Sequence, residues 1–363
     1  MQSFVRTRGR IPATVVVFLL ALTGVATSAY ANQSVSFRLN WILAGEGDLA
    51  PFFVAKSKGY YQQQGLDVSI QQGSGSGAAA KFVSVGRADI GIADFPTIAL
   101  AIARGADLKI IGSYQVNSPD AVWTRKDAGI TSPKDLPGHT IGAPASDAQR
   151  IAWPAFAQAV GIPVGSVQWV SISPAAKITS LASGRVDATV HFMDQRCLYQ
   201  NAVGANNLEF FRWANHGVNP YGNMIFTTTK MIKEHPNELR EFLQATYHGL
   251  RDSIVDPHGA IEIAQQYQSS VNVKKVLSML LISIKYMLYP GKGNSQRLGY
   301  ISPSRMASSA KLVNTYFDIP HKLNAEQLYT NQFVPDWTWP KASDLSTPST
   351  WPYPSGVNHP CRQ

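Results

Sequence analysis

From residue 34 onward the chain switches repeatedly between two hydrophobic periods. Residues 36–41 and 66–71 alternate apolar and polar positions, as half-buried strands do, whereas residues 50–63 repeat at helical spacing and close on Gly65. Residues 77–85 are again helical in pattern, 88–93 form a short apolar strand, and 96–104 are helical up to Gly105. The rhythm restarts at mid-chain: strand at 140–143, helix at 147–160, strand at 168–171, helix at 175–182, strand at 186–192. Such strand–helix repetition predicts the α/β class, with mostly parallel sheets covered by helices on both faces. Beyond Thr229 helical patterns dominate, at 237–254, 259–267, 273–288 and 303–316. Residues 335–363 hold six prolines and three tryptophans without any period, which predicts an irregular strap.

Two segments echo one another. GRADIGIAD begins at Gly86 and GRVDATVHFMD at Gly184. In each, a helix ends at glycine, an arginine follows, and an aspartate (Asp89, Asp187) leads into an apolar strand that finishes at a second aspartate (Asp94, Asp194). Glycine suits the left-handed cap of a helix, and a strand covered by helices on both faces is apolar throughout. One copy in each half predicts two similar lobes.

The N-terminus changes the picture of location. Arg6, Arg8 and Arg10 precede an apolar run over residues 11–25, and Ser28-Ala29-Tyr30-Ala31 follows, the pattern of a secretory signal peptide cut after Ala31. The run is shorter than the roughly 20 residues of a spanning helix, and so is the apolar stretch at 279–288, which carries Lys285 and reads as a buried helix. No cysteine adjoins the cut to carry a lipid anchor. The expected mature chain, residues 32–363, is exported and long enough for two domains. Its formal charge falls from +9 to +6 once the three leader arginines are removed. The remaining basic residues are scattered, which reads as a solvated surface and not a nucleic-acid groove. Cys197 and Cys361 belong to no metal or redox motif; as an exported pair they can bond and pin the C-terminal tail, a point the sequence leaves open.

Residues 71–94, QQGSGSGAAAKFVSVGRADIGIAD, place a glycine-rich turn ahead of a helix. Gly73, Gly75 and Gly77 lack the spacing of a dinucleotide fingerprint, Ala78 stands where a Walker loop needs lysine, and Gly75 stands where a nucleophile elbow needs serine. The remaining readings are a plain capped turn, or an anion-favouring helix N-terminus in which free N–H groups and the hydroxyls of Ser74 or Ser76 face a crevice.

At residues 39–94 the chain resembles the start of the periplasmic solute-binding proteins of ABC importers, the branch serving sulfonates, nitrate and the pyrimidine precursor of thiamine. The resemblance rests on tryptophan after the first strand (Trp41), APFFVA at 50–55, KGYY at 58–61, GLDV at 65–68 and GRADIGI at 86–92, with a looser likeness through residue 334. It implies two α/β lobes of the type II periplasmic-binding-protein fold, closing over a small ligand. Lobe one would comprise residues 34–117 plus 219–334 with the strap 335–363, and lobe two residues 121–217. It implies a non-enzymatic monomer without cofactor or metal, whose partners are a small-molecule ligand and an inner-membrane permease with its ATPase, and no nucleic acid.

Ligand contacts would come from loops leaving strand ends. Trp41 either stacks on a planar ligand or packs in the core. Ser76 and Gly77 offer helix-terminal donors. Asp94 and Phe95 end the first echo and Phe192, Met193 and Asp194 the second; either aspartate serves a ligand or caps the next helix. Asp147 or Ser146 caps the helix that carries Arg150, whose planar fork suits an anion if it faces the cleft. Tyr221 and Asn223 lie near the return crossing. Pyrimidine-precursor binders of the resembled family carry a histidine ahead of the Ala-Pro-Phe stretch, and this chain has Gly45-Glu46-Gly47-Asp48-Leu49 there. Glu46 and Asp48 suit a ligand with donor groups, Arg150 an aromatic carboxylate or sulfonate.

Three other classes bear comparison. A pyrimidine-making enzyme group that looks like this family carries a cysteine cluster, absent here, and the eight histidines show no metal spacing. A transcription regulator of similar fold would need an N-terminal helix-turn-helix and no export signal. A binding protein docked to a sensor would share the same cleft chemistry.

Overall fold

Ten strands are distributed along the chain: β1 (Gln33–Arg38), β2 (Leu66–Gln71), β3 (Ile90–Asp94), β4 (Lys109–Ser113), β5 (Asp120–Arg125), β6 (Thr140–Ala143), β7 (Gln168–Ser171), β8 (Ala188–Phe192), β9 (Leu208–Arg212) and β10 (Asn223–Thr227). They are seen in a computed structural model that describes residues 1–3, 32–291, 295–341 and 361. The export signal and its cleavage site, together with the greater part of the strap, lie outside the described residues.

The strands divide between two five-stranded sheets of identical plan, β2-β1-β3-β10-β4 and β7-β6-β8-β5-β9. In each, the strand in the second position, β1 or β6, runs parallel to its neighbours on both sides. The fourth position is taken by a strand running antiparallel to both neighbours, β10 in one sheet and β5 in the other. The sheets are therefore mixed, with four of the five strands in each pointing the same way and one reversed, which agrees with the expected mostly parallel α/β plan. The antiparallel strands immediately follow the two places where the chain crosses between lobes. No α-helix leads into either, so the strand–helix rhythm does not announce them.

The echo in the sequence turns out to be a brace built twice. Helices Ser76–Ser84 and Lys177–Ala182 are each followed by a glycine in the left-handed region, Gly86 (φ 70°) and Gly184 (φ 73°). The aspartate three residues later then ties the strand in the third position of its sheet, β3 or β8, to the one in the second, β1 or β6. Asp89 accepts from the Ser36 N–H at 2.7 Å and its hydroxyl at 2.6 Å, while its own N–H donates to that hydroxyl at 3.0 Å. Asp187 does the same with Thr140, at 2.9, 2.7 and 3.0 Å. Hydrogen bonds to a charged group contribute about 1.5–3 kcal/mol each, so the brace is a substantial part of each lobe's stability.

Apolar residues fill both faces of each sheet. Val35, Phe37, Ile90, Ile92 and Ile225 pack against helices Ala50–Ser57 and Pro236–Val255. Ala93, Met224 and Phe226 face helices Phe95–Ala103 and Pro303–Tyr316 on the other side. Met224 and Phe226 on one face and Ile225 on the opposite one show the period-two geometry of a strand buried on both sides. In the second sheet Val122, Ala188 and Val190 face helix Ala148–Val160, while Ala121 and Trp123 face helix Arg196–Val203, where Trp123 stacks on Tyr199 at 4.8 Å.

Two boundaries differ from the reading of the sequence. The 50–63 run is broken into Ala50–Ser57 and Tyr60–Gln63 by Gly59 at φ 72°. The stretch 273–288 is helix Val273–Ser283 continued by a wider turn, Ile284–Leu288, most of it buried as expected. Among the described residues no helix is long and apolar enough to cross a membrane. The start of the strap lies on the first lobe: Trp337 stacks on His248 at 4.6 Å, and Leu298 N–H donates to the Trp337 carbonyl at 2.7 Å. Cys361 is disulfide-bonded to Cys197 of helix Arg196–Val203.

Candidate functional site

The segments that follow β1, β2, β6 and β7 meet the end of β8 where the two sheets point their strand ends at each other. From the first lobe come Asn40, Trp41, Glu46, Gly75 and Ser76; from the second come Asp147, Gln149, Lys177, His191 and Phe192. The residual cavity is about 10 Å³, room for roughly one water, so the structure is a closed cleft. Closure is fixed by contacts between lobes. Gly77 N–H donates to the Ser146 carbonyl at 3.1 Å, the Ser146 hydroxyl donates to the Ser74 carbonyl at 3.0 Å, and Gln195 Nε2 donates to the Gly45 carbonyl at 2.7 Å.

Lys177 is the centre of the site's electrostatics. It is 1 % exposed, its ammonium lies 2.5 Å from Asp147 Oδ2, and it sits 4.7 Å from the centroid of the Trp41 ring. A buried lysine is stable only with its charge paired, and Asp147 with the face of Trp41 supplies that pairing. Asp147 also caps helix Ala148–Val160, accepting from the N–H groups of Gln149 and Arg150.

Around this pair stand five further buried carboxyls: Glu46, Asp48, Asp94, Asp120 and Asp194. Burial is the largest cause of the upward shift in each. Asp48 and Asp120 are pushed up to about 6, and Asp94 to about 8 with the Asp120 carboxyl adding to its burial. Glu46 and Asp194 are raised well above the carboxylate range, Glu46 by burial and then Asp48 and Asp194, and Asp194 by burial and then Asp48. His191 is held well below its usual value, by burial and then by the Lys177 charge, so its ring is neutral. Asp48 accepts from Gln115 Nε2 at 2.7 Å, and Asp120 accepts from the Ser118 hydroxyl at 2.7 Å and from Gln149 Nε2 at 2.9 Å.

Several of the buried polar atoms here have no partner: Glu46 Oε2, Asn40 Oδ1, Asp48 Oδ1, Asp94 Oδ1, Asp194 Oδ2, Asn223 Nδ2 and His191 Nε2. Buried polar groups are nearly always satisfied, so a concentration of unsatisfied ones marks a place built to receive something polar. Oxygens outnumber nitrogens in this set.

The structure brings together Trp41, Ser76, Asp147 and Phe192 of the residues singled out from the sequence, and sets Asp94, Asp194 and Asn223 close behind them. Asp94 and Asn223 are register partners in the β3–β10 pairing, and Asn40 Nδ2 donates to Asn223 Oδ1 at 3.0 Å. Ser76 accepts from the Asp94 N–H at 3.1 Å, so its hydroxyl proton is left to donate. Neither Asp94 nor Asp194 caps the following helix with its side chain. The expectation for other residues is corrected. Gly77 does not offer its N–H to a ligand, because the Ser146 carbonyl already holds it. Phe95 is fully buried in the core beneath helix Phe95–Ala103. Arg150 turns away from the cleft to the Ser171 hydroxyl at 3.0 Å and the Trp169 ring. Tyr221 packs away from the cleft, its ring beneath Arg305 and its hydroxyl accepting from the Ser302 N–H. Met193 is buried in the second lobe's core.

The glycine-rich turn is thereby explained. A Cβ on Gly73 would lie 2.1 Å from the Leu39 carbonyl, and one on Gly75, where φ is 140°, would lie 2.3 Å from the Ser146 carbonyl across the cleft. Gly73 lets backbone meet backbone within the first lobe and Gly75 across the cleft, so the turn is one of close approach. Sequence reasoning missed Lys177, Asn40, Gln149, Asp120 and Gln195. Lys177 alone left a trace, a charge within the otherwise uncharged helical stretch 175–182.

Among the described residues no group of three His, Cys, Asp or Glu side chains is placed to hold a metal ion. Similarity to known proteins bears on the whole architecture. A structure of the alkanesulfonate-binding protein SsuA from Xanthomonas axonopodis superposes with a TM-score of 0.64 at 14% identity, covering 83% of this chain and 98% of that one. The fold is therefore that of the periplasmic binding proteins. Among curated proteins, a 4-amino-5-hydroxymethyl-2-methylpyrimidine phosphate synthase of Legionella pneumophila is 22% identical over 311 residues, 84% of this chain and 93% of its own length. A formylaminopyrimidine-binding protein of Halalkalibacterium halodurans is 23% identical over 254 residues, 69% and 75% of the two chains. The NMT1/THI5-like family model matches residues 46–260, more than half of the sequence, and the chain belongs to that family.

Proposed function

We propose that this chain is the substrate-binding component of an ABC importer. In this reading it captures a small planar heterocycle carrying hydrogen-bond donors, of the aminopyrimidine class, between its lobes and delivers it to an inner-membrane permease and its ATPase. The observation that carries the reading is the set of unpartnered oxygens on Glu46 and Asn40, which line the cleft with Trp41, and on Asp94 and Asp194 behind them. Amino N–H groups satisfy such acceptors, Asn223 Nδ2 and the Ser76 hydroxyl offer donors to ring nitrogens, and Trp41 gives a flat surface to stack on. An alkyl sulfonate or nitrate fits worse: Lys177, the one buried cation among the described residues lining the cleft, is already paired with Asp147. Family relatives named for pyrimidine binding and pyrimidine synthesis agree with the ligand class. The leader sequence, the binding-protein fold and the pairing of both cysteines with each other favour capture and export over synthesis.

A thermal-shift screen tests this. Residues 32–363, unfolded and refolded to strip carried-over ligand, are heated with aminopyrimidines, aromatic carboxylates, alkyl sulfonates and nitrate. A ligand at about 100 times its Kd adds roughly 2.7 kcal/mol, and the expected responder is an aminopyrimidine that is recovered chemically unchanged. A shift with sulfonate or nitrate alone, or conversion of the pyrimidine, refutes the proposal.

A further inference from the structure

A second cavity lies on the first lobe, away from the cleft. It measures about 480 Å³ and is walled by the two crossing segments, by residues 295–300 and by the N-terminal turns of helix Pro303–Tyr316. Leu250, Leu288, Leu298 and the ring of Tyr300 give it an apolar floor, while Ser304 and Ser308, both exposed, stand at its mouth.

Arg305 projects from that helix into the cavity wall. Its guanidinium reaches Asn117 Oδ1 at 3.3 Å and the Asn219 and Pro220 carbonyls at 3.4 Å, contacts at the weak end of the hydrogen-bond range, and it lies 5.2 Å from the Tyr221 ring centroid. Its Nε has no partner, and no carboxylate is paired with it among the described residues. Arg297, the cavity's other arginine, is committed to the Pro335 and Val334 carbonyls and to Asp336. A half-buried arginine with only long contacts to neutral oxygens, beside an apolar floor, is a fork awaiting an oxyanion.

We infer that this cavity is a second binding site, distinct from the interlobe cleft, for a small amphiphilic carboxylate of the aromatic-acid type. The carboxylate pairs with Arg305 and the ring lies against Leu250, Leu298 and Tyr300. Because Arg305 holds Asn117 of one crossing and Asn219 of the other, occupancy bears directly on the segments about which the lobes open.

Crystals of residues 32–363 soaked in 4-bromobenzoate locate the site by bromine anomalous scattering, and calorimetry measures the affinity in solution. The expected result is bromine density in this cavity, with binding weakened at least tenfold by Arg305→Gln and abolished by Ser308→Trp. The latter fills the mouth from an exposed position and leaves binding at the Trp41 cleft unchanged. Bromine density only beside Trp41, no density at about 10 mM, or full affinity in Ser308→Trp overturns the inference.

Discussion

Replacing Asp94 by asparagine keeps the side chain's shape and removes its titration, which isolates the cost of burying this carboxylate. Asp94 is 2 % exposed, and burial together with the Asp120 charge lifts it from an ordinary 3.8 to about 8. The folded protein then binds the proton more tightly than the unfolded chain. The stability associated with this group is fully present below about pH 4 and is lost as pH rises toward 8. Within that window the loss approaches about 1.4 kcal/mol per pH unit, which amounts to about 2–3 kcal/mol between pH 5 and pH 7. Asparagine has no such dependence. Urea unfolding of wild type and Asp94→Asn at pH 5, 7 and 9 therefore should show the variant gaining about 2–3 kcal/mol on wild type from pH 5 to 7, and little more beyond 9. A stability difference that stays constant across this range refutes the argument, since it would mean that the folded protein holds the ionised carboxylate as well as water does.

Other residues give contrasting signatures. Asp187, whose carboxyl is lowered by its hydrogen bonds to Thr140 against the opposing effect of burial, contributes stability at neutral pH that disappears as pH falls through its lowered value; Asp187→Asn should cost about 1.5–3 kcal/mol at pH 7 and almost nothing near pH 2 by the same unfolding assay. Lys177→Met leaves the Asp147 carboxylate buried without its cation and should cost about 3–5 kcal/mol, part of which returns in the Lys177→Met/Asp147→Asn double variant. Gly75→Ala forces a methyl against the Ser146 carbonyl and should hold the lobes apart, read as a larger radius of gyration by small-angle scattering and at least tenfold weaker ligand binding. Trp41→Ala should abolish ligand-induced stabilisation in the thermal-shift screen while the protein still unfolds cooperatively.

Hydrophobic periodicity carried most of the architecture, because a strand covered on both faces and an amphipathic helix each leave a distinct period. Thr140–Ala143, Gln168–Ser171 and helix Pro303–Tyr316 fall where the pattern predicts. Strands β5 and β10 did not, since their place between two antiparallel neighbours depends on where the chain re-enters a lobe, a long-range fact that no local period encodes. The site was legible at strand ends, where Trp41, Asp147 and Phe192 follow or end regular elements. The direction of Arg150 was left open because a helix's sequence does not say which way a surface side chain leans once Trp169 offers a ring to lie on. Lys177 went unseen for the opposite reason: its burial is tolerated only through Asp147, thirty positions away along the chain.

The doubled brace separates two tasks along a single strand. In each lobe one aspartate at the strand's start secures the sheet, and another at or just beyond its end faces the neighbourhood of the cleft. Under the proposed function, substitutions at Asp94 or Asp194 should be felt at the ligand, whereas Asp89 and Asp187 keep the scaffold the same. A lineage carrying this chain can therefore retune what it recognises by changing strand-end residues while both lobes stay rigid, which suits a family whose relatives share a fold and differ in what they are named for.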